Sequence, residues 1–386
     1  MKTVPETDGY RRIKAAAVNY VNACKIGPDP GRYAKWLDEA EATFYGSFHA
    51  AHILDLFGEL DQFAPRDLDA WAEYFLEKQT DQGYFSTNPA DRRNERPIEE
   101  LDAILHSTRG AIWSLRILGR KAAKEFRFFE ELLDAQKLYA WVKSYDWSRP
   151  WTVSNQICAG ATILMAMRDW FGIADVDRIM EAGLYPALEE LLDERTGFWG
   201  THLGAPLPHG LYGTIHVAPI YFAQRWPLRA VERNVDSTLK CQEADGSFPD
   251  GTNCPDFDGA YMITNLAKLT DYRRGDLERA ARRYLENALM HEDPGGRGFF
   301  CHRRDKDLST LGPGQGPAWG YRDGRRTLTY KPKEPSVKTH IMLDSWFYPL
   351  SIGLVAAMLG DTGYEGPYQL NPMSLHESNA EVKPTL

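Results

Sequence analysis

Histidine, aspartate and tyrosine, side chains that move protons, recur at the starts of apolar stretches in this chain. Tyr45, His49 and His52 open the first stretch, with the two histidines three residues apart and so on one face of a helix. Asp102 and His106 open the second, and Trp151, Asn155 and Gln156 the third. Tyr212 and His216 open the fourth, Asp256, Asp258 and Tyr261 the fifth, and Lys338, His340 and Asp344 the sixth. Taken singly, each has a plain explanation as a helix cap or a satisfied core hydrogen bond. Together, five of the six stretches bring a His or Asp to the same end. Burying so many ionisable groups without a ligand is costly, so a pocket is expected there.

The chemistry expected of such a pocket is general acid–base catalysis, which needs a carboxyl or imidazole whose pKa is moved towards neutrality. Asp256 and Asp258, two residues apart at a helix entrance, are expected to split, one ionised and one holding a proton. His216 and His340 would shuttle protons beside them, with His52 and His106 as further candidates. Substrate contacts are expected from Tyr45, His49, Trp151, Asn155, Gln156, Trp199, Tyr212, Tyr261, Lys338 and Asp344. His49-x-x-His52 is half a metal site without Glu or Cys ligands at matching spacing, so no metal is expected. No phosphate-cradling Gly loop, dinucleotide fingerprint or nucleophile elbow occurs, and no cofactor is expected.

The elements that must position these residues repeat. Gln79-Thr-Asp-Gln-Gly83-Tyr-Phe85 is followed by Glu194-Arg-Thr-Gly197-Phe-Trp199, Gln242-Glu-Ala-Asp-Gly246-Ser-Phe248 and Gly295-Gly-Arg-Gly298-Phe-Phe300, with a weaker Tyr145-Asp-Trp147-Ser between the first two. The period is about 50 residues, two helices and their turns. The glycine permits the positive φ that ends a helix tightly, and the aromatic after it can plug the gap between neighbouring hairpins. Amphipathic stretches precede the phrases, at Asp67–Lys78, Arg225–Lys240 and Asp276–Met290. Low-charge stretches follow or flank them, at Phe44–Leu60, Ile98–Leu118, Val153–Phe171, Tyr212–Arg225, Asp258–Leu269 and Thr339–Leu359. Six apolar inner helices alternating with six wetter outer ones predict an all-α, (α/α)6 toroid with one central pocket, a single domain over 1–386. The Gly/Pro-rich segment 305–335 lacks a helical period and reads as a long loop over the pocket mouth, and 367–386 as a mobile tail.

Gln242-x-x-Asp245-Gly246-Ser-Phe248, followed by Pro255-Asp-Phe-Asp258-Gly-Ala-Tyr261, resembles the terpenoid cyclase and protein prenyltransferase superfamily, and Asp344-Ser-Trp-Phe-Tyr-Pro-Leu is similar to the last inner helix of prenyltransferase β-subunits. That resemblance implies a toroid and an acid-initiated cyclisation or isomerisation. The chain departs from it in having only Asp256-Phe-Asp258 where the cyclases have Asp-x-Asp-Asp, and no Asp-x-Cys for a prenyltransferase zinc. The alternation and the Gly–aromatic loops are also similar to six-hairpin glycosidases and toroidal polysaccharide lyases. Pro208-His-Gly-Leu-Tyr-Gly echoes lanthionine cyclases, whose Cys ligands are missing.

Composition narrows the partners. The 386 residues carry a formal net charge of −9 and no Lys/Arg-rich run, the wrong electrostatics for a nucleic-acid backbone; an anionic ligand would need a local basic pocket. No apolar run reaches the roughly 18 residues of a membrane span, and no apolar stretch follows the first charges, so a cytoplasmic location is expected. The five scattered cysteines suggest neither a disulfide framework nor a Cys zinc site. The leading expectation is a terpenoid-cyclase-like small-molecule enzyme, the alternative a carbohydrate-active toroid working through Asp, His and Tyr, and the third a non-catalytic binding toroid. The partner in each is a small molecule, terpenoid-like or carbohydrate; oligomeric state cannot be read.

Overall fold

A computed structural model describes residues 4–37, 39–87, 100–249, 251–304, 318–320, 327–329 and 342–370. Low-charge sequence and burial go together in α2 (Phe44–Leu56), α4 (Glu100–Ile117), α6 (Pro150–Phe171), α9 (Leu207–Ala223), α11 (Asn253–Leu269) and α13 (Asp344–Leu359). With few charged residues on any face, these helices are stable only where they are covered on most sides. Each packs on the next, α2 on α4, α4 on α6, α6 on α9, α9 on α11 and α11 on α13, and α13 returns to α2. The inner helices therefore close a ring.

The outer layer consists of helices with one charged stripe. These are α1 (Asp8–Ala23), α3 (Pro65–Leu76), α5 (Ala135–Lys143), the pair α7 (Val176–Ile179) and α8 (Tyr185–Glu189) joined by a π-turn, α10 (Val231–Cys241) and α12 (Arg274–Leu289). α12, for example, buries Leu277, Ala280, Ala281, Tyr284 and Ala288 against α11 and α13 and leaves its arginines outside. The expected alternation of helices is present, with shifted ends. α11 begins five residues before Asp258, at Asn253, and α9 five before Tyr212, at Leu207.

The repeated phrases form the seams. Gln79 donates from Nε2 to Gly83 O and Lys124 O, at 2.9 and 2.8 Å, and accepts the N–H groups of Ala123 and Lys124. Gln242 does the same work one half-ring away, donating to Gly246 O and Ala280 O and accepting from Arg283. Gly246, at φ +88°, lies so close to the backbone of α12 that a Cβ would stand 2.2 Å from Arg283 O. Gly298, at φ +102°, meets Tyr20 of α1, so the last phrase seals the ring onto the first outer helix. The aromatics Phe85, Phe198, Trp199, Phe248 and Phe299 are wholly buried in these seams. A short antiparallel ladder, β1 (Leu192–Asp193) with β2 (Phe198–Trp199), closes one turn; single bridges at Gln79–Phe85 and Glu292–Phe299 close two others.

The chain ends are tied together where Thr7 N–H donates to Glu365 O at 3.1 Å. The segment expected to be a mobile tail from 367 is packed at its start. Tyr368 lies edge-on to Tyr10 with ring centroids 4.8 Å apart, and Gln369 N–H donates to Leu56 O. The reason is that Tyr10 and Phe57 leave an apolar slot on the outer wall which Tyr368 fills. Residues 371–386 lie outside the described residues. So does most of the segment 305–335, within which β3 (Ala318–Gly320) pairs antiparallel with β4 (Thr327–Thr329).

Candidate active site

Two pairs of non-adjacent helices show which side chains point to the ring axis. The charge of Arg109 on α4 depresses the pKa of His216 on α9, and Cys158 on α6 acts electrostatically on Tyr261 on α11. Neither pair is among the neighbouring helices of the ring, so these charges act across its interior. His216 itself, with His106 and Asn155 one turn nearer the helix N-termini than Arg109 and Cys158, is only half buried, although both flanks of these helices are covered. Solvent therefore reaches the axis from that end, which makes it a recess whose mouth is formed by the N-termini of the inner helices.

The recess holds one hydrogen-bonded pair suited to moving a proton. Tyr45 Oη lies 2.7 Å from His106 Nδ1, joining α2 to α4. His216 Nδ1 lies 3.1 Å from Ser154 Oγ. Burial, reinforced by the positive charge of Arg109, holds the His106 imidazole well below its usual range and lowers His216 to about 3. Burial alone lowers His52 to about 3, and His49 is depressed by burial with help from the charge of Lys35. All four rings are neutral at neutral pH.

Below the mouth the axis is aromatic. His52 packs 4.6 Å from Trp346, and Phe48 contacts both Trp113 and Trp346. The Arg109 guanidinium lies over Trp113, 4.7 Å from the ring centroid, and donates from Nη1 to Asn155 Oδ1. Arg109, Trp113, Ser154 and Trp346 were not among the sequence candidates. The signal for Arg109 was present, since a mid-helix arginine in a low-charge helix, four residues before a tryptophan, is out of place unless it has a task.

Asp256 and Asp258 do not form the expected acid pair. Because α11 starts at Asn253, both lie inside the helix, and residues two apart on a helix point in nearly opposite directions. Asp256 is wholly buried in the wall. Its Oδ1 accepts Phe248 N–H at 2.8 Å, and its Oδ2 accepts Asn287 Nδ2 at 3.0 Å, with Tyr348 Oη 3.4 Å away. Burial pushes it up to about 7, against those donors, which favour the ionised form. Asp258 shares the helix face of Tyr261 and Cys254. It is 4% exposed and makes no hydrogen bond to any described residue. Burial, with the Asp256 charge second, pushes its carboxyl well above the usual range, which favours the protonated form.

Other candidates belong to the walls. Trp199 is wholly buried and donates from Nε1 to Leu188 O at 2.9 Å, because it is the plug of its own repeat phrase and not a recess residue. Tyr212 is wholly buried and donates to Pro249 O at 2.6 Å, with Trp151 packed against its ring at 4.9 Å. Asp344 is wholly buried where Asn253 donates to it, linking the starts of α11 and α13. Asp102 is half buried at the mouth, and burial raises it. Gln156 is buried on α6 with no partner for Oε1. Lys338 and His340 lie outside the described residues.

No family model matches the chain, and no curated protein matches it. Among solved structures, it is similar to an inactive variant of α-1,6-mannanase GH76A of Salegentibacter sp. HEL1_6 in complex with α-1,6-mannotetrose. The TM-score is 0.48 at 10% identity, over 91% of this chain and 98% of that one. It is also similar to a polysaccharide lyase, with a TM-score of 0.44 at 10% identity over 90% and 97% of the two chains. The ring is established by the chain's own helix packing, and similarity at this level assigns neither substrate nor reaction.

Proposed function

We propose that the axial recess is the active site of an enzyme that cleaves a glycosidic bond by acid–base catalysis. The observation that carries this reading is Asp258: a buried carboxyl, pushed towards its protonated form, with no hydrogen-bond partner among the described residues, on the inner helix across the ring from α4, which carries His106. A carboxylic acid in that condition is a general acid for a leaving oxygen, and a phenol joined to a neutral imidazole is the candidate proton acceptor on the other side of the ring. Asp258 protonates the departing glycosidic oxygen. The Tyr45–His106 pair takes a proton from the attacking water in hydrolysis, or from carbon in an elimination.

The lining argues for a sugar over an isoprenoid. His49 Nδ1, His52 Nε2, Arg109 Nε, Trp113 Nε1 and Asp258 Oδ2 are all buried on inner helices without hydrogen-bond partners. Each orphaned polar group of this kind costs about 1–3 kcal/mol, and a polyol supplies what they lack where a hydrocarbon does not. Half-buried Trp151 at the mouth offers an aromatic face for a sugar ring. The terpenoid-cyclase reading depended on Asp256 and Asp258 acting together, and Asp256 is engaged in the wall.

The test is a thermal-shift panel of neutral oligosaccharides, uronate oligosaccharides and prenyl diphosphates, followed by assay of the stabilising class for new reducing ends or a conjugated double bond. Stabilisation by a saccharide together with turnover supports the proposal. Stabilisation by prenyl diphosphates alone refutes it, and saccharide binding without turnover leaves a binding toroid.

A further inference from the structure

Arg109 presents a second question. It is 7% exposed, at the floor of the recess, and no carboxylate lies against it among the described residues. Its Nη1 is held by Asn155, it hydrogen-bonds the thiol of Cys158, its plane rests on Trp113, and its Nε has no partner. The comparison is on the same helix. Arg116, two turns on and as deeply buried, is paired with Asp169 at 2.8 Å. A buried guanidinium without a counter-ion is costly to keep, and α4 supplies one arginine with a partner and leaves the other without.

The surroundings tell what would complete it. Charge from Arg109 reaches His106 and His216, whose rings are neutral and cannot balance it. A chain with a formal net charge of −9 thus keeps one buried guanidinium with no carboxylate against it among the described residues. A planar guanidinium backed by an indole and steadied by an amide presents an edge, and an edge of one unit charge matches a carboxylate.

We infer that Arg109 binds a carboxylate of the substrate, so that the saccharide is acidic, with a uronate residue seated over α4. This rests on the glycosidic reading above. Asn155 is the positioning residue, since its amide oxygen fixes the guanidinium without neutralising it.

Calorimetry on the full chain with galacturonate and glucuronate disaccharides, matched neutral disaccharides, acetate and sulfate tests this. The acidic disaccharides are expected to bind at least about tenfold tighter than the neutral ones, with an affinity that falls as salt rises. Arg109→Gln loses that preference and Arg109→Lys keeps part of it. Asn155→Asp places a carboxylate against the guanidinium, so it folds and still loses the preference, which covers the case in which Arg109→Gln fails to fold. Equal affinity for acidic and neutral sugars, or a preference that survives Asn155→Asp, overturns the inference and leaves the glycosidic reading standing. Binding of acetate or sulfate without any disaccharide overturns the saccharide reading and reduces Arg109 to a small-anion site. Silence of every probe overturns both.

Discussion

The seam around Gln242 and Asp256 and the recess around Asp258 lie on two faces of the same helix, and they treat polar groups in opposite ways. In the seam each buried polar atom has a purpose: Gln242 staples Gly246 to α12, and Asp256 accepts the Phe248 amide and the Asn287 side chain. In the recess, His49, His52, Arg109, Trp113 and Asp258 each retain a buried atom with no partner. Satisfied buried polarity is what a fold needs to hold together. Orphaned buried polarity is a standing cost, and where it lines the recess, on α2, α4 and α11, a ligand would repay it.

Exchanging the two aspartates' fates is the strongest way to break that comparison. Asp258→Asn is expected to fold and to lose about 10²- to 10⁴-fold in turnover, the range for removing a general acid. It should also melt higher at pH 8. A carboxyl whose pKa is raised by folding destabilises the native state as pH climbs above its unfolded value, and the amide removes that penalty. Full activity in this variant would make Asp258 structural. Asp256→Ala should do the reverse, costing about 2–5 kcal/mol by chemical denaturation because it strands two buried donors, while folded molecules keep their turnover number.

Tyr45→Phe sharpens the recess side. It removes the 2.7 Å bond to His106, and stability should move by only about 1 kcal/mol. Turnover, measured against that small change, reports whether the pair handles the proton. The smallest effect expected is on acid stability. His52 and His216, held near pKa 3, are neutral in the folded state but take up protons in the unfolded chain below about pH 6.5. Their contribution is present above that pH and is lost as pH falls from 6.5 towards 3. The wild-type melting temperature should therefore decline over that window, and His52→Gln should decline less; identical slopes would mean that the ring is not buried neutral.

Much of the architecture was legible from particular residues. Phe44, Val153 and Leu359 mark the bounds of low-charge stretches that are inner helices, and Gly83, Gly197, Gly246 and Gly298 mark the seams. The site was legible in part. Tyr45, His49, His52, His106, Asn155, His216, Asp258 and Tyr261 come together on the inner helices, because residues near the starts of parallel inner helices share one end of the ring. Asp256, Trp199, Tyr212 and Asp344 were drawn into the same set by type and position, and they belong to the walls.

Local sequence alone determined the helices and their turns, because periodicity, charge content and glycine act within one or two turns of the chain. Facing direction was decided only by the closed ring. The packing of α11 on its neighbours holds Asp256 against Phe248 and Asn287 in the wall, and Asp258, two residues on, points nearly the opposite way. The same holds for Arg109, whose meaning lies in the carboxylate that no neighbouring described helix provides, a fact about packing that no stretch of α4 could carry by itself.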